Sequence, residues 1–314
     1  ESASKDWHHK KIGENDEPWV IRCYEETDDP ELGRIDINKI LSYDFELFIV
    51  EAYNRLPLRE LRSLISTLKR KVKTVAIIHC GSKQDVEPFV KLDFDLLIVF
   101  DERYINELLK DHLPRVKDKI CIIPYPCMEP LNVKPKRPTF ADGKTLFLSF
   151  GRQPPEEYRD YVTSLRRLTN RYDFIYWIIR SDGPLQVSDK WIKQWTKKLS
   201  LEELYSYLKA ADIHLLPKGN TRKVVVSSTV FQTLGSLVPI IAPDTRYFET
   251  IPTNEDGIGP LIKYKNVEDL TNKIIMLLED DMLRRNVIKM AEEYVRRHSS
   301  RIIAKKYIDL FSKL

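Results

Sequence analysis

Along this chain, short apolar runs rich in β-branched residues alternate with stretches whose apolar positions recur every three or four residues. In the first half the runs predict strands over 19–24, 45–52, 72–79, 96–100 and 120–124. Helical spacing between them predicts a helix ending before Tyr43 and further helices over 58–71, 86–92 and 103–113. In 58–71 the stripe is Leu58, Leu61, Ile65 and Leu68, continued by Val72. The strands are continuous apolar runs, the pattern of a parallel sheet covered by helices on both faces. A second series follows, with strands predicted over 145–150, 174–179, 212–216, 238–242 and 259–262. Its helices fall over 201–210, 267–278 and 281–298, and an amphipathic segment over 302–311 closes the chain.

Between the two series, 126–143 carries four prolines and no periodicity. A stretch of this kind joins domains. The expected organisation is α/β throughout: an N-terminal domain over 1–130, a linker over 131–144 and a second domain over 145–298. The segment 299–314 is expected to pack back on the first domain.

The richest stretch is 199–249. An amphipathic helix leads into a buried strand, and a polar, basic loop over 218–223 then opens on Ser227, Ser228 and Thr229 at the start of another helix. Ligands of open α/β sheets sit where strands end and helices begin, because free helix N–H groups attract anions. Arg222 and Lys223, just before those hydroxyls, therefore read as candidates for a diphosphate. The same pair also fits a solvated basic loop, and Ser227 or Ser228 an ordinary helix cap.

Composition narrows the classes. The chain has 314 residues, 42% hydrophobic and 31% charged, which suits two soluble globular domains. No apolar run reaches the roughly 20 residues of a membrane span. The first residues, ESASKDWHHKK, hold neither an initiator Met nor a signal-peptide core, so the numbering is expected to start inside a longer product. Cys23, Cys80, Cys121 and Cys127 stand singly, which favours a reducing cytoplasm over a disulfide framework. Ten Gly with dense Lys, Arg and Glu leans toward a thermophile. The net charge of +4 is uneven: −7 over 1–50, +5 over 51–150 and +6 over 151–314. That mild basic body suits phosphorylated ligands and excludes a nucleic-acid binder.

Six blocks now stand in order: Phe150-Gly151-Arg152 at a strand end; Ser181-Asp182-Gly183-Pro184; LSLEELYSYLKAADIHLLP from Leu199; Gln232 to Pro239; Asp256 to Ile262; and NVEDLTNKIIMLLEDD from Asn266. In this sequence they resemble the C-terminal donor domain of GT-B glycosyltransferases, in particular the large retaining group of bacterial and archaeal mannosyl- and glucosyltransferases. The resemblance covers 146–298 closely. It covers the first half more loosely, through the strand ending at His79 and the Ile-Pro-Tyr-Pro turn at 123–126. It implies two Rossmann-like α/β/α domains facing across a cleft, and transfer from a UDP- or GDP-linked sugar to a carbohydrate or lipid-linked acceptor. It also implies that no metal or other cofactor is needed; His8, His9 and His214 offer no metal spacing.

The resemblance assigns roles by position. Arg152 contacts the donor phosphates, next to Gly151. Asp182 and Gly183 belong to the nucleoside-binding segment, Gln232 replaces a ribose-binding glutamate, and His79 faces the donor sugar. Glu249 aligns, one residue out of register, with a glutamate near that sugar. Three departures stand out: Glu157 occupies the position of a second phosphate-binding lysine, and Val224 and Gln232 that of a glutamate pair. They motivate a second reading, a nucleotide-sugar-binding protein or partner subunit without turnover, and a third, a sugar-nucleotide epimerase. Cys80, Tyr205 and Tyr207 read as packing, and Glu51, Asp101 and Glu102 as structural carboxylates. The basic face of 58–73 is either a solvated helix face or a peripheral contact with the inner membrane surface.

Overall fold

The computed structural model describes residues 17–69 and 71–314. Two compact units emerge. Unit 1 runs to Pro124 and includes Lys223–Val225 and Lys306–Leu314; unit 2 comprises Tyr125–Arg222 and Val226–Lys305.

In unit 1 a short helix α1 (Ile37–Leu41) precedes β1 (Leu47–Ala52), α2 (Leu58–Leu68), β2 (Lys73–Ile78), α3 (Lys83–Lys91), β3 (Leu96–Val99) and β4 (Ile120–Ile122). The strands pair in parallel in chain order, β1-β2-β3-β4. The register sets Glu51 opposite Ile77 and Ala52 opposite Ile78. Leu58, Leu61, Leu64, Ile65 and Leu68 of α2 are all buried, while Arg59, Arg62 and Lys69 are exposed. The apolar stripe of α2 is thus spent on the unit's own core. Insertion into a bilayer needs an exposed apolar face, so the membrane contact expected of this helix is not supported. Among the described residues no helix is long and apolar enough to cross a membrane.

In unit 1 one expected strand is absent and one expected helix is present in mixed form. Residues 19–24 form no strand. Only an isolated antiparallel bridge joins Tyr24 to Ile35, and Trp19 is 75% exposed. An aromatic-rich run has no strand identity without a partner to complete its ladder. The helix expected over 103–113 is instead a π-helical turn (Tyr104–Leu109), a 3-10 turn (Lys110–His112) and α4 (Leu113–Val116). Pro114 lacks the N–H that would bond back to Lys110, so a continuous ladder cannot pass it.

Unit 2 contains β5 (Thr145–Gly151), α5 (Arg159–Leu168), β6 (Phe174–Arg180), β7 (Ile192–Thr196), α6 (Leu201–Leu208), β8 (Ile213–Leu215), α7 (Ser228–Leu234), β9 (Ile240–Pro243), β10 (Ile262–Tyr264), α8 (Val267–Glu279) and α9 (Asp281–His298). All six strands are parallel, in the order β10-β9-β8-β5-β6-β7. The chain winds outward from β5 to β7, then restarts beside β5 and winds the other way, so the order reverses between β5 and β8. Side chains alternate across the sheet. Leu146, Leu148, Trp177 and Ile179 pack with α6 on one face. Phe147, Tyr176 and Ile178 pack with Tyr161 and Leu165 of α5 and Leu270 and Ile274 of α8 on the other. The last helix, α10 (Ser300–Phe311), starts in unit 2 and is grouped with unit 1 from Lys306 onward.

Strand β7 escapes the sequence pattern because it is an edge: only Ile192 of its five residues is buried. The strand expected over 259–262 lies later, at Ile262–Tyr264. Gly259 instead passes so close to the Pro252 carbonyl that a Cβ would lie 2.2 Å from that oxygen.

Candidate functional site

The carboxyl ends of β5 and β6 are built around one buried guanidinium. At the end of β5, Gly151 takes φ +127°, a region L side chains rarely adopt, and a Cβ there would lie 2.6 Å from the Gln153 side chain. Arg152 is exposed and, among the described residues, has no hydrogen-bond or ion-pair partner. Gln153 is buried, with Tyr158 Oη donating to its Oε1 (2.9 Å). Arg180, the last residue of β6, is 5% exposed. It donates from Nη1 to the Gln153 carbonyl (2.5 Å), from Nε to the Gly183 carbonyl (2.8 Å) and from Nη2 to Asp182 Oδ2 (2.7 Å). Its guanidinium also lies 5.4 Å from the Tyr158 ring centroid. Asp182 and Gly183 are therefore held by Arg180, which fixes the loop while one Asp182 oxygen is engaged. Arg180, just before the Ser181–Pro184 block that the sequence singles out, is the anchor of that loop.

Past β8, Ser227 caps α7. Its side chain is 3% exposed and accepts from Val230 N (3.4 Å). Ser228 is exposed, and Thr229 and Gln232 are half-buried. Gln232 accepts at its carbonyl from Tyr205 Oη (2.6 Å). Gly235 ends the helix where a Cβ would stand 2.3 Å from the Met128 carbonyl oxygen. Arg222 is exposed with no partner among the described residues. Arg152, Asp182, Gly183, Arg222, Ser227, Ser228, Thr229 and Gln232 all belong to unit 2, on segments that leave β5, β6 and β8. Glu249 lies elsewhere in the unit, after a turn that follows β9, and pairs with Arg246 (3.6 Å).

Glu157 sits beside the β8 loop: a Cβ on Gly219 would meet its Oε1 at 2.9 Å, and its Oε2 is buried without a hydrogen bond. Lys218 extends over the Tyr247 ring, 4.9 Å from the centroid. Burial pulls the Lys218 pKa below the usual lysine range, partly opposed by the Glu157 charge. Glu157, Lys218 and Gly219 line a polar cavity of about 280 Å³ together with Asn220, Asp244, Thr245 and Tyr264. Tyr205 and Tyr207 are buried packing residues, as the sequence indicates. His214 is 1% exposed, and burial pushes its pKa down to about 3. Among the described residues no group of three or more His, Cys, Asp or Glu side chains is arranged to hold a metal.

Unit 1 carries the other candidates. His79 follows β2 and donates its backbone N–H to the Ala52 carbonyl (2.9 Å). Its Nε2 lies 2.5 Å from Glu51 Oε2, and its ring packs edge-on against Phe100, centroids 5.1 Å apart. Glu51 thus partners the histidine, a pairing that only strand register reveals. Cys80 is buried, its Sγ directed at the Ala52 carbonyl (3.3 Å), and burial raises its pKa to about 12. A thiol so far from ionisation is packing, not a nucleophile. Asp101 is structural too: it holds Arg103 through two oxygens (2.9 and 2.8 Å), and Arg103 reaches the Val225 carbonyl (3.0 Å).

The segment Lys223–Val225 docks on this unit. Val224 N donates to the Gly81 carbonyl (2.9 Å), and Gly81 is glycine because a Cβ would lie 2.5 Å from the Val224 oxygen. Val224 is 1% exposed, and Lys223 Nζ lies 3.8 Å from Asp85 Oδ2. Lys223 is therefore grouped with unit 1, apart from its sequence neighbours Arg222 and Ser227–Thr229 in unit 2.

No protein-family profile matches the chain. A stretch of 66 residues, 21% of this chain, is 38% identical to the N,N'-diacetylbacillosaminyl-diphospho-undecaprenol alpha-1,3-N-acetylgalactosaminyltransferase of Campylobacter jejuni. That match spans 17% of the relative's length. Among solved structures, HepE of Anabaena in complex with UDP is similar over 94% of this chain and 87% of its own, with TM-score 0.69 and 12% identity. A glycosyltransferase of Rickettsia africae is similar over 88% and 79%, with TM-score 0.65 and 16% identity. A UDP-forming trehalose-phosphate synthase of Burkholderia vietnamiensis gives 88% and 75%, TM-score 0.64 and 10% identity. Two α/β units with parallel sheets, shared with these proteins, make this the GT-B fold.

Proposed function

We propose that the protein is a glycosyltransferase moving a sugar from a UDP- or GDP-linked donor to a carbohydrate or lipid-linked acceptor, with retention and without a resident metal. The observation that carries this reading is a pair of exposed guanidinium groups in unit 2, Arg152 and Arg222, which have no partner among the described residues. Arg152 follows β5 and Arg222 precedes α7, on either side of the point where strand order reverses, and open α/β sheets bind ligands at such points. Departure of a nucleoside diphosphate leaves charge that cations already in place stabilise without reorganisation.

In this reading Arg152, Arg222, Lys223 and the amides of Ser227, Ser228 and Thr229 hold the diphosphate. Gln232 binds ribose, the Asp182-Gly183 turn contacts the nucleoside, and His79 serves the donor sugar. The likeness to HepE, solved with UDP and with UDP-glucose, supports a uridine donor. Thermal unfolding with UDP and with GDP tests the first step, because a ligand of the folded state raises its stability. Assays over a panel of UDP- and GDP-sugars test transfer. No stabilisation by either nucleotide would sink the proposal.

One observation favours a second reading, a nucleotide-sugar binder without turnover. Val224, at the position of a glutamate in the resembling group, is buried and bonded to Gly81. Binding that persists with no turnover of any donor selects this reading. Release of UDP without an acceptor selects an epimerase instead.

A further inference from the structure

We propose that Glu51 is the positioning residue of His79, fixing one imidazole tautomer so that Nδ1 presents a lone pair to a substrate hydroxyl. The inference rests on the glycosyl-transfer reading and adds a carboxylate where position 224 supplies none.

The geometry comes from the sheet. Glu51 stands level with Ile77 in the β1–β2 ladder, and residues two apart on a strand share a face, so Glu51 and His79 emerge on the same side. Their side chains meet at the carboxyl end of the sheet, the edge where open α/β sheets bind ligands. Glu51 Oε2 lies 2.5 Å from His79 Nε2. A carboxylate accepts only, so the proton between them belongs to Nε2. Nδ1 then carries the lone pair, and among the described residues it has no partner.

The ring cannot swing freely. Phe100, 6% exposed, packs edge-on against it and is backed by Tyr104, whose ring centroid is 5.8 Å away. Two strand ends and one buried aromatic pair thus hold an imidazole that is itself 36% exposed. A histidine serving only the core would be buried, as His214 is. This one is held at one nitrogen and open at the other, the arrangement in which a carboxylate sets tautomer and direction for a histidine acting elsewhere.

The chemistry is proton handling at one atom. His79 Nδ1 accepts a hydrogen bond from a sugar or acceptor hydroxyl; as that hydroxyl proton shifts to Nδ1 in the transition state and the oxygen keeps the electron pair of its O–H bond, the imidazolium charge so created is balanced by Glu51. On the Gly81 side Val224 presents its peptide group and an apolar side chain.

The test uses the full chain with ¹⁵N-histidine, assigned with His79→Gln. Wild type should show His79 as the Nε2–H tautomer, and Glu51→Ala a mixture. In transfer assays with the donor that the panel of UDP- and GDP-sugars selects, Glu51→Ala should lower kcat about 10- to 100-fold with donor KM within about 2-fold. Glu51→Gln, which still accepts from Nε2–H, should recover part of the loss. In the His79→Gln background, Glu51→Ala should add no further loss, because a residue acting through His79 has nothing left to position. An unchanged tautomer with unchanged kcat overturns the proposal, as does a Glu51→Ala loss that persists undiminished without His79. Failure of wild type to turn over any donor defeats glycosyl transfer instead, and the tautomer measurement still decides whether Glu51 controls the ring.

Discussion

The two parallel sheets differ in the one feature that makes a ligand crevice. Strand order in unit 2 reverses between β5 and β8, so the segments leaving these adjacent strands diverge to opposite faces. Strand order in unit 1 runs β1-β2-β3-β4 without reversal among the described residues. Unit 2 therefore offers cations and backbone amides around a gap, suited to a diphosphate. Unit 1 offers side chains in a row along one edge, and its chemistry is concentrated in the Glu51–His79 couple.

The cores differ in the same sense, and the largest predicted effect follows. Trp177, on β6, is fully buried among Trp195, Tyr207 and Phe140, with ring centroids 4.6, 4.8 and 5.7 Å away. Trp177→Ala should cost about 3–5 kcal/mol, read by urea unfolding with circular dichroism. Ile49 on β1, 40% exposed, should tolerate Thr within about 0.5 kcal/mol. Equal costs would show that the β1 edge is more tightly built than its exposure indicates.

The next effect separates the units by task. Arg152→Ala and Arg222→Ala should each weaken nucleoside-diphosphate binding about 10- to 100-fold, or about 1.4–3 kcal/mol by calorimetry. His79→Gln should leave that affinity within about 2-fold while transfer collapses. If His79→Gln weakens UDP or GDP binding as much as Arg152→Ala does, the division of labour is wrong.

Acid should weaken unit 2 through His214, by a smaller amount. Its folded pKa is depressed to about 3 by burial, against about 6.5 in an unfolded chain. Below about pH 6.5 the unfolded state takes up a proton that the folded state refuses, so stability falls as pH falls toward 3. The slope is at most about 1.4 kcal/mol per pH unit, so about 2 kcal/mol is lost by pH 5. Urea midpoints at pH 7 and pH 5 measure it, and His214→Gln should flatten the difference. A wild-type midpoint that stays constant over this range would mean that His214 is protonated when folded.

How much of this was legible in the sequence follows from how local each cause is. Strands such as Phe174–Arg180 announce themselves because burial on both faces demands an unbroken apolar run, and here all seven residues are buried. β7 hides because an edge strand needs no such run. Residues 19–24 mislead for the opposite reason, an apolar run with no ladder to join. Ser227 stands out because a helix start is a local signal, whereas Arg152 and Gln232 are marked only by the family resemblance. Glu51 could not be paired with His79, since only the β1–β2 register brings positions 28 apart together. Nor could the grouping of Lys223 with unit 1 be foreseen, because the Gly81–Val224 contact joins segments over 140 residues apart in sequence.

The smallest predicted effect compares two helix starts within unit 2. At α6 the Ser200 side chain accepts from Glu203 N (3.2 Å), and Glu203 Oε2 accepts in return from Ser200 N (3.3 Å). That reciprocal box satisfies the end of the helix with its own side chains. At α7 Ser227 accepts from Val230 N at 3.4 Å, and Val230 has no polar group to return the bond. Ser200→Ala should therefore cost about 1 kcal/mol of stability, and Ser227→Ala less, about 0.5 kcal/mol. If the amides after Ser227 hold a diphosphate, Ser227→Ala should also weaken nucleotide affinity, which Ser200→Ala should leave unchanged. Equal stability losses with unaltered affinity in both variants would make α7 as self-contained as α6, and would leave the anion to Arg152 and Arg222.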